Sequence, residues 1–230
     1  MLKLRSLSLI LFFTFSVKAY SYKVNIYKYN CGITTIYVDE KYGIKKADIE
    51  KYFEMYDFSS SSFWTCNDSD LVLTRDLKDP QFLEKFTNYI NKLKGEYKVF
   101  DNFPSRLQEL RPVIKDKQRR FEFEIWLEEI RLEFFKTGDI NVLRKPYLGI
   151  SPNREILDVV DQIASIKSTI ELCKMSYHDF HNAWYDYYYS FVYKTIYNTK
   201  LMDESDMQNK WYDFETKYNI TSTYEDDGCD

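Results

Sequence analysis

The sequence predicts a mainly α-helical protein: a bundle-like, multi-helix domain preceded by a short N-terminal β-hairpin and stapled by disulfides. Three observations carry this expectation. Apolar residues recur at three- and four-residue steps from Ile44 onward, the helical period. Only six glycines and five prolines punctuate 230 residues, too few for turn-dense sandwiches or propellers. Four cysteines, Cys31, Cys66, Cys173 and Cys229, lie in a chain whose first residues read as an export signal.

That signal covers residues 1–19. Lys3 and Arg5 give a positive start, Leu7 to Val17 is uncharged and mostly apolar, and Val17-Lys18-Ala19 supplies a cleavage site after Ala19. The apolar run is shorter than the roughly 20 residues a membrane-spanning helix needs. The expectation is an exported product, periplasmic or secreted, with no membrane anchor after cleavage. Residues 20–230 then form a single mostly helical domain. In an oxidising compartment the even cysteine count reads as two disulfides. Cys31–Cys66 and Cys173–Cys229 are favoured because each joins segments within one half of the chain.

The hairpin is placed at about 22–38. Two runs rich in Val, Ile, Thr and Tyr flank Asn30-Cys31-Gly32, which has turn chemistry. A first helix follows at about 46–58, with Ile49, Tyr52, Phe53 and Tyr56 in its stripe, before Ser59 to Ser62 breaks the pattern. Asp79-Pro80 is a cap-plus-proline start for a helix at about 80–94 that stops at Gly95. Pro104 and Pro112 bracket a short piece at 104–111. A long helix at 112–136 should end at Gly138. Ser151-Pro152 opens helical periodicity that reaches about Asn198, divided by an expected break near Ser165 to Ser168 into helices at 152–166 and 168–198. A last helix at 206–218 carries Met207, Trp211, Phe214 and Tyr218. The tail from Thr221 to Asp230 reads as short, acidic and held down by Cys229.

Two helices stand out on a wheel of about 100° per residue. In the long helix Phe121, Ile125, Leu132 and Phe135 oppose Phe123, Trp126, Leu127, Ile130 and Phe134, with charges on both flanks. Such a helix belongs between two layers. From Trp184 to Tyr197, Trp184, Tyr188 and Phe191 form one face, and Tyr185, Tyr189, Val192 and Ile196 another.

Charge and motif content narrow the function. The leader holds three of the 32 basic residues and no acid, so the remaining chain carries a net charge of −7 in place of −4. A nucleic-acid partner is not expected on that balance. The one basic run, Lys115-Asp116-Lys117-Gln118-Arg119-Arg120, reads as a solvated helix face. His178 and His181 are the only histidines, one helical turn apart. As a metal pair with Cys173, or as an acid/base group near Asp179, they form an incomplete set. Glu122, Glu129 and Glu133 share one flank of the long helix, where Lys115 and Lys136 sit at ion-pair spacing, the pattern of a solvated face. No phosphate loop, nucleophile elbow, His-Glu-x-x-His or Cys-x-x-Cys occurs. Asn67-Asp68-Ser69 and Asn219-Ile220-Thr221 match the glycosylation acceptor pattern.

What remains is an aromatic surplus, with 21 tyrosines, 17 phenylalanines and four tryptophans. Tyrosine and tryptophan combine large contact area with a polar tip. The sequence therefore points to a non-catalytic binder without metal or cofactor, an inhibitor or immunity-type protein of the cell envelope. Trp184, Tyr185, Tyr188 and Tyr189 are the candidate contact residues and the partner a protein, favourably a basic one. The alternatives are an envelope hydrolase using the helix glutamates or the His178/His181 pair, and a surface structural protein that self-associates as a homo-oligomer.

Overall fold

The computed structural model describes residues 21–28, 32–56, 80–166 and 177–226. The four cysteines and their expected disulfides, the leader, and the loop carrying Trp64 lie outside the described residues.

Strands β1 (Ser21–Lys28) and β2 (Gly32–Asp39) form the expected antiparallel hairpin, with Tyr22 opposite Val38 and Val24 opposite Ile36. A third strand was not expected. β3 (Thr221–Asp226) pairs antiparallel with the other edge of β2, from Tyr37 opposite Thr221 to Gly32 opposite Asp226. Thr221 to Asp226 of the tail are thus held by backbone ladder bonds, in a segment where Thr and Tyr favour extended backbone. In β2, Ile36 and Val38 are fully buried and Tyr37 is exposed, while Thr35 and Asp39, on the side of Tyr37, are buried as well.

Among the described residues the helices overlap their expected spans, and the expected break near Ser168 and the start of the 168–198 helix lie outside them. α1 covers Lys46–Tyr56, α2 Pro80–Tyr97 and α3 Arg111–Thr137. Between α2 and α3 the chain runs through tight 3₁₀ turns at Lys98–Asn102 and Ser105–Leu110. α3 stops at Gly138, whose φ of 71° is the left-handed geometry that glycine adopts without a Cβ penalty. α4 (Arg154–Ser165) is capped one residue after the expected proline start, the Asn153 side chain accepting from the Ile156 N–H at 3.1 Å. α5 (Tyr177–Tyr187) continues through a π-helical turn, Tyr188–Val192, into α6 (Tyr193–Tyr197). α7 (Glu204–Tyr218) begins two residues earlier than expected, because Asp203 accepts from the Asp206 N–H at 2.7 Å.

Two apolar cores share α3. The first packs the sheet residues Ile36 and Val38 against Ile49, Tyr52 and Met55 of α1 and Phe214 of α7, with Ile114 and Phe121 of α3 closing it. Tyr52 and Trp211 stack there with centroids 4.4 Å apart. The second gathers Phe82 and Phe86 of α2, Ile156, Val160 and Ile163 of α4, Phe180 and Trp184 of α5, and α3 from Phe123 to Phe135. Burying each such side chain contributes about 1.5–3 kcal/mol. The expected division of α3 into two opposed faces therefore holds only in its first half. Leu132 and Phe135, placed with Phe121 on the wheel, join the second core, because Phe82 and Phe86 of α2 cover that side, with Phe82 4.9 Å from Phe135.

Candidate functional site

α3 carries a third stripe besides its two apolar ones. Asp116, Glu124, Glu128 and Arg131 are all buried, and Arg120 is half-buried among them. Spacings of four, four, four and three residues put these side chains on one helix face. Charged groups are rarely buried unless paired, so each needs a partner. The partners come from the α5–α6 segment, which presents His181, Tyr185, Tyr189 and Tyr193 at four-residue steps.

The two rows mesh in antiparallel order. Tyr193 donates its hydroxyl to Asp116 Oδ1, and Asp116 also holds Arg120 at 2.9 Å. The Arg120 guanidinium lies 5.6 Å from the Tyr189 ring centre and donates to the Met202 carbonyl. Tyr185 donates to Glu124 Oε2. His181 Nε2 stands 3.6 Å from Glu124 Oε1, and the imidazole packs on the Tyr185 ring at 4.5 Å. Glu128 closes the row with a 2.6 Å bond to Arg131 Nη1, both side chains almost wholly buried. Beside this row, Arg119 donates to the Tyr193 hydroxyl at 3.1 Å and lies over the Tyr197 ring at 3.9 Å, while Tyr188 donates to the Arg119 carbonyl at 3.0 Å.

These contacts correct the reading of Lys115 to Arg120 as a solvated face: Asp116 is buried, and Arg119 and Arg120 are half-buried against tyrosines. Burial, reinforced by the Asp116 carboxylate, pushes the Tyr193 hydroxyl up to about 12. Burial also raises Tyr188 well above the ordinary tyrosine range. Arg111, Lys115, Arg119 and Lys200 rim a surface depression of about 390 Å³ with Asp116 and Tyr193 in its wall.

Of the expected partner-contact residues, Trp184 and Tyr188 are fully buried. Phe123 and Trp126 of α3 flank Trp184, and Phe123 stacks on Tyr188. These two are core residues in this structure, so the outward aromatic face is narrower than expected. Tyr185 is half-buried and Tyr189 is 37% exposed. Phe191, placed on the wheel with Trp184 and Tyr188, is instead 48% exposed, and Val192 is buried. The π turn is the reason. Its backbone bond runs from the Tyr193 N–H to the Tyr188 carbonyl, five residues back, so the longer turn moves the inward position on by one residue.

The catalytic candidates are dispersed. Glu122 accepts from Tyr97, whose hydroxyl burial and this carboxylate push up to about 12. Glu129 pairs with Lys94 and Glu133 with Lys145 at the surface. His178 is exposed, whereas His181 turns inward, so the histidines do not converge. Instead His181, Glu124 and Glu128 bring their ligand atoms within 4.8 Å of one another. Sequence reasoning missed this grouping. Its signal was the four-residue spacing of Asp116, Arg120, Glu124 and Glu128, on the flank opposite Glu122, Glu129 and Glu133. No family model, curated protein or solved structure matches this chain.

Proposed function

We propose that this is an exported, non-catalytic binding protein that engages a protein partner of the cell envelope, in the manner of an inhibitor or immunity-type protein. The observation that carries the reading is the aromatic surface around the π turn. Tyr189 and Phe191 are large side chains left exposed, Tyr185 meets Tyr189 edge-on at 5.2 Å, and Tyr187 stacks on Phe191 at 5.3 Å. Rings already held by neighbours lose little entropy on binding, which favours them as anchors. π turns recur at functional positions. The excess of acidic residues favours a basic partner through steering. The surface ion pairs of Glu129 and Glu133 leave those carboxylates without the burial a general acid requires. Among the described residues no helix is long and apolar enough to cross a membrane.

The test is capture of envelope proteins from the source cells by the full oxidised chain, compared with the Tyr189→Ala/Phe191→Ala double variant. Retention of one defined partner by the parent and its loss in the variant, at unchanged thermal stability, is the expected result. Equal capture by both chains overturns the proposed face, and concentration-dependent light scattering without a partner favours self-association.

A further inference from the structure

We propose that Glu124, Glu128 and His181 form a binding site for one divalent transition-metal ion of the zinc type, set between α3 and α5. Two glutamates one turn apart on α3 and an imidazole from α5 supply an N/O donor set of the kind such ions accept. The donor atoms already lie within 4.8 Å of one another. Bonds of about 2.0–2.2 Å to a tetrahedral ion place donors about 3.3 Å apart, so loading requires only a local contraction.

Glu124 and His181 carry the argument. Glu124 is a buried carboxylate whose described contacts are a neutral tyrosine hydroxyl and His181. The His181 Nε2 atom is itself buried and has no hydrogen-bond partner among the described residues. It faces Glu124 Oε1 at 3.6 Å, too far for a hydrogen bond but close to the spacing of two donors on one ion. A buried imidazole nitrogen facing a buried carboxylate at 3.6 Å without a hydrogen bond between them is an arrangement that a cation between them completes.

The surroundings fit such a site. Tyr185 bonds the second oxygen of Glu124, and Arg131 bonds Glu128. Both contacts orient the carboxylates as outer partners commonly do. The His181 side chain is 19% exposed, which gives an ion a route in from solvent.

The experiment is titration of the full chain, cysteines oxidised, with Zn²⁺ by calorimetry and with Co²⁺ by absorption. The expected result is one equivalent bound, with ligand-field bands and no thiolate charge-transfer band. Affinity should fall at least tenfold in Glu124→Gln and in His181→Ala, and stay unchanged in His178→Ala. A wild-type measurement guards against misfolded variants: Zn²⁺ should protect His181 from diethyl pyrocarbonate while His178 stays reactive. No saturable binding, unchanged affinity in both site variants, or equal modification of the two histidines with and without Zn²⁺ overturns the proposal.

Discussion

Phe123 of α3 and Tyr188 of the π turn lie face to face, ring centroids 4.0 Å apart and planes 9° from parallel. Tyr188→Ala removes that stack and the bond to the Arg119 carbonyl, and is expected to cost about 3–5 kcal/mol in denaturant unfolding. Phe191→Ala, three residues on but solvent-facing, should change stability by less than about 0.5 kcal/mol. Similar costs for both would put Phe191 in the core.

The Glu128–Arg131 pair is the most deeply buried ion pair among the described residues. Arg131→Met removes the charged partner of a carboxylate in the interior and should lower stability by about 3–5 kcal/mol. Lys145→Met, which unpairs the exposed Glu133, should cost less than about 1 kcal/mol. Chemical denaturation of both variants measures the contrast.

Strand β3 protects an edge. Prolines at both Ser222 and Thr223, paired with Ile36 and Thr35, remove at least one inter-strand N–H. The double variant should melt earlier and, with the β2 edge open, associate as concentration rises. A monomer at every concentration by light scattering would show that the edge is otherwise protected.

Alkaline pH should act through Tyr193. Its hydroxyl is raised from 10 to about 12 by burial beside Asp116, so the folded state holds this proton more tightly than the unfolded chain. The stability this contributes is fully present below pH 10 and is lost as pH rises through about 12. Tyrosinate absorbance followed with unfolding should show late titration that Asp116→Asn brings earlier.

Helices were legible because their stop and start signals are local: Gly138 ends α3 and Asn153 caps α4 by contacts within a few residues. The hairpin was legible for the same reason. β3 was not, since Thr221 to Asp226 becomes a strand only by meeting β2 from the far end of the chain. The buried polar row of α3 was hidden differently. Asp116, Arg120, Glu124 and Glu128 at four-residue steps describe a salt-bridged solvent face as well as a buried one. Only the tyrosines of a helix some 70 residues away decide between them. Phe191 was misplaced because a wheel assumes a constant turn, and the π turn breaks that constancy.

The central position of β2 sets an order of assembly. One of its partners is its immediate neighbour β1, whereas the other arrives about 180 residues later. The hairpin can close within microseconds of its synthesis, yet the sheet stays a two-stranded ribbon with a bare edge until β3 emerges. Two-stranded ribbons are marginal on their own, and long-range pairings form slowly. The sheet should therefore lock late, after the helices around α3 have collapsed, which makes the first core the slow half of the molecule and its open edge the segment most in need of chaperoning.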